Sequence, residues 1–230
     1  MVTPAHDRLL EAWIPGYASL ARLSVSLLAA SPLARPPGAE VLVAGCGSGA
    51  ELVDARRLRP DWRLTAVDPS ADMLTLARGK LAGAAPDAEA SAKAPLIQWL
   101  EGTVEELAVD PCFDGALAVL VLQGLPDDGG KLRFLTSLAR WLRPGAQVVL
   151  VDQMQPERTG MERQLITARR LFQGRAEVSQ QDGEEDQPLG PLHPISLTRL
   201  AGLLEATGFS DPVPVFRALD YEGFVLKRLA

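Results

Sequence analysis

Two cysteines, Cys46 and Cys112, and two histidines, His6 and His193, are all that 230 residues supply. That is too few thiolates and imidazoles for a disulfide scaffold, or for a zinc or iron–sulfur site, so no metal is expected. Cations are the minority: 23 Lys plus Arg stand against 29 Asp plus Glu, a net charge of −6. Such a surface repels phosphate backbones, and nucleic acid is not an expected partner. Long apolar runs are missing too. The longest, residues 116–122, is far too short to cross a bilayer, so no membrane association is expected. No basic stretch followed by an apolar one opens the chain, which leaves the cytoplasm as the expected compartment. The remainder is ordinary: 47% hydrophobic and 23% charged residues fit a globular domain with a sizeable core.

Residues 8–30 carry apolar side chains at helical spacing on both sides of Pro15-Gly16, which predicts two helices joined at a break. The turn-rich segment 31–38 leads to a short apolar run, 40–44, then to Gly45-Cys46-Gly47-Ser48-Gly49 and a helix reaching about Arg59. Strand, glycine loop and helix are the reading. The pattern recurs with a strand at 63–68, a break at Pro69-Ser70 and a helix over 71–81. An Ala- and Pro-rich connector, 82–95, precedes strands at 96–101 and 113–121; the second is almost continuously apolar, as burial on both faces demands. A helix over 130–142 is expected to stop at Arg143-Pro144-Gly145 and a fifth strand to run over 147–152. Beyond it lie a helix at 160–173, an acidic loop at 180–191 and a helix capped by Ser196. Two strands within 212–228 are expected to pair around a turn at Asp220 to Gly223. Strands alternating with helices predict a mostly parallel sheet covered on both faces, with an antiparallel hairpin at one edge. No internal repeat or second core is visible, so residues 1–230 read as one domain: a helical cap and connector (1–38) and a core (39–230).

In such sheets ligands bind beyond the carboxyl ends of the strands, where a loop meets a helix N-terminus. Gly45, Gly47 and Gly49 allow tight bending and close approach of backbone to ligand, and the N–H groups behind them can hold an anion. Asp68, ending the second strand, stands where an acid can accept both hydroxyls of a ribose. Gly45-x-Gly47-x-x-Ala50 also satisfies the relaxed dinucleotide fingerprint, so a nicotinamide oxidoreductase stays open at this point.

The ordered set VLVAGCGSGAEL (41–52), LTAVDPSADML (64–74), EGTVEEL (101–107), FDGALAVLVLQGLPD (113–127) and LRPGAQVVLVD (142–152) resembles the class I S-adenosylmethionine-dependent methyltransferases over almost the whole chain. The resemblance implies a Rossmann-like α/β fold with a seven-stranded, mostly parallel sheet, and S-adenosyl-L-methionine as cofactor. It places the methionine part of the cofactor on Gly45, Cys46, Gly47 and Gly49, the ribose hydroxyls on Asp68 with Pro69, and the adenine beside Thr103 and Val104. Many relatives have Asp where Thr103 stands. Within the family, IPGY (14–17) and LQGLPD (122–127) resemble the carboxy-S-adenosylmethionine synthases, which implies contact between Tyr17 and the cofactor. Those synthases bind an extra carboxylate through an arginine. The counterpart here, Ser179-Gln180-Gln181-Asp182, offers an acid instead, and Val119 replaces their asparagine, so plain S-adenosylmethionine is the expected cofactor.

The expected reaction is methyl transfer by direct displacement to O, N or C of a small molecule. It demands alignment and exclusion of water, plus a base where the acceptor must lose a proton. His6 is the candidate base, and Trp13 and Gln123 are candidates for the acceptor pocket. His193, between prolines, reads as a turn residue, Arg169 and Arg170 as a solvated helix face, and Cys112 as inert. A carboxy-S-adenosylmethionine synthase-like enzyme and a non-catalytic cofactor-binding protein are the alternatives. A homodimer is compatible with the sequence.

Overall fold

The computed structural model describes residues 3–84, 96–107, 113–156, 160–174 and 190–230. Cys112, the segment Ser179-Gln180-Gln181-Asp182, and most of the 82–95 connector and of the acidic 180–191 stretch lie outside them. Pro15 cannot continue a helix, and the chain divides there into α1 (Thr3–Trp13) and α2 (Tyr17–Ala29). The alternating part follows as β1 (Glu40–Ala44), α3 (Ala50–Leu58), β2 (Arg63–Asp68), α4 (Ala71–Gly83), β3 (Leu96–Glu101), β4 (Phe113–Val119), α5 (Gly130–Trp141) and β5 (Leu142–Gln153). It closes with α6 (Glu162–Phe172), α7 (Leu197–Ala206), β6 (Val213–Ala218) and β7 (Tyr221–Lys227).

Among the described residues the strands form one seven-stranded sheet in the order β3-β2-β1-β4-β5-β7-β6. β1 to β5 run parallel, while β7 pairs antiparallel with β5 and β6 with β7. Successive side chains point to opposite faces, so each inner strand feeds two cores. Leu42, Ala118, Val148 and Leu150 pack with Phe134 and Leu138 of α5 and Leu200 and Leu204 of α7. Val41, Val43, Leu64, Leu117 and Val149 pack with Leu20 and Leu28 of α2, Leu52 of α3 and Leu74 of α4. Each fully buried Leu or Val stabilises the fold by about 1.5–3 kcal/mol relative to exposure, which is why the near-continuous apolar runs become central strands.

Several boundaries differ from the sequence expectation, and the strand expected over 113–121 stops at Val119. The helix over 130–142 ends at Trp141 without waiting for Pro144-Gly145, and β5 begins at Leu142 rather than at Gln147. Leu142 is buried and pairs with Phe113, Arg143 pairs with Asp114, and the register shifts between Phe113 and Gly115, an irregularity that accommodates the proline. The hairpin turns at Leu219-Asp220, not at Asp220 to Gly223, because Glu222 and Gly223 are already paired across to Asp152 and Val151 of β5.

The end of β5 holds a buried carboxyl. Asp152 is 2% exposed; its Oδ1 accepts the Gln123 N–H at 3.0 Å and its Oδ2 has no partner among the described residues. Burial pushes this carboxyl up to about 8, against the pull of the Gln123 and Leu122 amides and of the Lys131 ammonium, itself fully buried and donating to the Leu122 carbonyl at 2.5 Å. A carboxyl that holds its proton more tightly folded than unfolded gives stability that is present at low pH and lost as pH rises through about 8. Asp152→Asn keeps the acceptor and removes the charge. Its melting temperature should exceed the parent's by a few degrees at pH 9, and the gap should shrink as pH falls toward 4; a gap independent of pH in differential scanning calorimetry would show that the carboxyl is ionised throughout.

Candidate active site

In the strand order, β1 has β2 on one side and β4 on the other, and the connections leaving β1 and β4 diverge to opposite faces of the sheet. A crevice opens at that switch point, beyond the carboxyl ends of the strands. It holds a cavity of about 440 Å³, within the range of small-molecule sites. Gly45, Cys46, Gly47 and Ser48 after β1, Asp68 and Pro69 after β2, and Val119, Leu120 and Val121 at the end of β4 line it from below. Ala50 and Glu51 of α3 and Met73 of α4 close one flank, Gly124 and Leu125 another, and His6 and Leu10 of α1 with Tyr17 of α2 cover it.

The glycine loop has its shape for two steric reasons. Gly45 has φ +64, and a Cβ there would lie 2.6 Å from Val121 Cγ2, so only glycine lets the loop touch the β4 wall. Gly49, with φ +85, leads into α3, where a Cβ would lie 2.8 Å from that of Ala77 and force α4 away. Leu120 also adopts a left-handed φ of 60, held by its N–H to the Val151 carbonyl at 2.6 Å; a bulky residue in that region marks stored strain at the cavity wall.

Asp68 is 7% exposed and has two backbone partners: Oδ2 accepts the Gly47 N–H at 2.8 Å and Oδ1 the Ser70 N–H at 2.9 Å. One carboxylate thus pins the glycine loop to the start of α4. Cys46 is buried, and burial, with Asp68 and Glu51 nearby, pushes its thiol up to about 12, which leaves it an inert lining residue.

The cover is tied down by a second charge group. Ser48 Oγ donates to Asp7 Oδ1 at 2.8 Å, Lys80 Nζ donates to Ser48 Oγ at 2.9 Å, and Lys80 Nζ lies 2.6 Å from Asp7 Oδ2. This cluster joins α1, the glycine loop and α4, and it positions His6 over the cavity.

Of the residues expected from the sequence, His6, Tyr17, Gly45, Cys46, Gly47, Asp68 and Pro69 meet at this one cavity. Gly49 shapes the loop from behind. Thr103 and Val104 stand outside the lining: the Thr103 N–H donates to Glu106 Oε2 at 2.8 Å, and the buried Val104 presents its carbonyl to Trp141 Nε1 at 2.9 Å. Gln123, placed by the sequence in the acceptor pocket, is 2% exposed behind the wall, where its Oε1 accepts the Gln153 N–H at 2.6 Å. Trp13 packs with Leu10, Ile14 and Tyr221 rather than facing the cavity. Arg169 is not a freely solvated cation: it pairs with Asp220 at 2.5 Å and so fastens α6 to the hairpin turn. His193 lies in a separate shallow cleft with Asp127 and Arg199, its N–H donating to the Gln123 carbonyl at 2.7 Å. Among the described residues no group of three or more His, Cys, Asp and Glu side chains is placed to hold a metal ion.

Asp7 and Lys80 lie outside the sequence motifs, and Ser48 and Glu51 lie within the 41–52 segment without being singled out by it. For Glu51 a signal exists: it shares the buried face of α3 with Leu52 and Ala55, where a carboxylate has no place in a plain amphipathic helix. For the other three the contacts span 41 and 32 positions, which local patterning does not report.

Residues 42–150 match the model of a family described as a methyltransferase domain. The chain is 33% identical over 133 residues to the trans-aconitate 2-methyltransferase of Azoarcus sp. (strain BH72), a stretch covering 58% of this chain and 45% of that protein. It thus spans less than half the length of this curated relative. Among solved structures it is similar to an amino pentose methyltransferase from Micromonospora echinaspora bound to S-adenosylmethionine, with a TM-score of 0.66, 17% identity and coverage of 97% of this chain and 96% of the other. Human N-acetylserotonin methyltransferase in complex with the same cofactor gives a TM-score of 0.59 at 18% identity, covering 100% of this chain and 58% of the other. At these identities the likeness is one of fold.

The Asp7–Ser48–Lys80 cluster generates a prediction about the cover. Hydrogen bonds to charged groups contribute about 1.5–3 kcal/mol, so Asp7→Ala should speed hydrogen exchange of the α1 amides at least tenfold while leaving β1 and β4 unchanged. Unaltered exchange in α1 would show that apolar packing alone holds it.

Proposed function

We propose that this chain is a class I S-adenosylmethionine-dependent methyltransferase, a reading supported by the matched domain and the fold, and that it transfers a methyl group from S-adenosylmethionine to a small-molecule acceptor. The observation that carries the reading is the convergence of the glycine loop, a buried acid at the end of β2 and a covered cavity at the sheet's switch point.

The residues present suit that cofactor. The Asp68 carboxylate keeps lone pairs beyond the two N–H groups it accepts, which ribose hydroxyls can use, and it is held rigidly by those same bonds. The N-terminus of α3, directly behind the loop, attracts an anionic tail. Pro69 and Met73 offer apolar surface for a base. The cofactor supplies a methyl group already activated on a sulfonium, so the protein's tasks are alignment and the exclusion of water. Leu10, Val119, Leu120 and Leu125 give the dry walls. His6 is the imidazole placed at the cavity to take a proton from an acceptor hydroxyl or acidic carbon.

Among the described residues no helix is long and apolar enough to cross a membrane.

Isothermal titration calorimetry with S-adenosylhomocysteine tests the cofactor, and a metabolite screen with methyl-labelled S-adenosylmethionine tests the transfer. Asp68→Ala should weaken binding about ten- to a hundred-fold, the worth of a charge-assisted contact. His6→Ala should lower turnover about a hundred-fold with affinity for S-adenosylhomocysteine nearly unchanged. No binding by the parent chain would dismiss the proposal.

A further inference from the structure

We propose that Glu51 is the receptor for the ammonium group of the cofactor's amino-acid tail, and that it discriminates for ligands carrying that group. The inference rests on the cofactor assignment above and adds a residue and a charge requirement to it.

Asp68 and Glu51 line the cavity and Asp7 reaches the glycine loop at Ser48, and the hydrogen bonds of these three carboxylates separate them. Asp68 is engaged by the Gly47 and Ser70 N–H groups. Asp7 is engaged by Ser48 and Lys80. Glu51 lines the same cavity with only 9% of its surface exposed, and no side chain among the described residues donates to its carboxylate. Burying a carboxylate this deeply with no donor beyond its own backbone N–H is costly. The cost is consistent with a place kept for a cation.

Position specifies which cation. Glu51 follows the glycine loop directly in the first turn of α3, whose N–H groups attract the carboxylate of an amino-acid tail. A zwitterionic tail with its carboxylate there carries its ammonium group within the same few ångströms, and Glu51 is the acid left to meet it. The groups facing Glu51 set its proton affinity. Desolvation dominates and raises its carboxyl to about 7; Asp54 on its own helix and Asp7 of α1 also raise it, while its own backbone N–H and Lys80 of α4 pull it down. Tyr17 of α2 is close enough to feel Glu51, and burial drives its phenol upward, so it stays a neutral O–H. Cys46 stays a thiol for the same reason.

Binding an ammonium group favours the ionised form of Glu51. Affinity for S-adenosylhomocysteine should therefore rise as pH rises through about 7, by about tenfold between pH 6 and pH 8, with release of a proton at the lower pH. Titration calorimetry is run on the parent chain and Glu51→Gln, with S-adenosylhomocysteine and with the same thioether lacking its amino group. Glu51→Gln should bind S-adenosylhomocysteine about ten- to a hundred-fold more weakly at pH 8, show no rise between pH 6 and 8, and bind the deamino compound as the parent does. Equal losses for both ligands, or an unchanged affinity for S-adenosylhomocysteine, would overturn the role of Glu51 while leaving the cofactor assignment standing. A parent chain that binds neither ligand overturns both.

Discussion

The Asp68 carboxylate is the constraint on which the site depends. It ends β2, and its two oxygens hold the backbone on either side: Gly47 in the loop after β1, and Ser70 at the start of α4. Ser70 in turn caps α4 by accepting the Met73 N–H. A charged acceptor with two amide donors in a buried setting is among the stronger polar arrangements available to a protein. It fixes the loop conformation that Gly45 and Gly49 make sterically possible. The order of β1, β2 and β4 in the sheet brings these parts together, and the two apolar cores keep the strands in that order.

Around this anchor the buried charges divide into distinct tasks. Asp68 shapes the loop. Asp7 with Lys80 draws α1 onto it through Ser48, so the cover is bound to the loop it covers. Asp152 holds the chain after β4 by accepting the Gln123 N–H, and Gln123 reaches back to β5, which stiffens the wall behind Val121 and Leu125. Of the cavity's two lining carboxylates, Asp68 accepts N–H groups from two other segments, whereas among the described residues Glu51 is met only by its own backbone N–H. A site organised in this way accepts a ligand that brings its own charges, provided they fall where the protein has left a counterpart.

Much of this was legible in the sequence because it rests on local patterns. Apolar runs bounded by Gly and Pro gave the strands, Pro15 gave the break between the first two helices, and the spacing from Gly45 to Asp68 gave the loop and its acid. What escaped depends on distant partners. Nothing near Leu142 announces that it pairs with Phe113 and starts a strand early, and nothing near Asp7 announces Ser48. Gln123 shows the same limit: its place after β4 suggested a pocket residue, but the unsatisfied N–H of Gln153 drew its side chain into the wall. Thr103 and Val104, expected beside the adenine by resemblance, also hold a short turn and accept a tryptophan N–H, which no local pattern announced.

A crystal structure of the protein grown with S-adenosylhomocysteine tests the central claim most directly. The account requires the nucleoside along the carboxyl ends of β1 and β2, with both ribose hydroxyls on Asp68 and the amino-acid tail against the glycine loop beneath α1. Density for the ligand elsewhere, or an Asp68 carboxylate that makes no contact with it, would contradict the account.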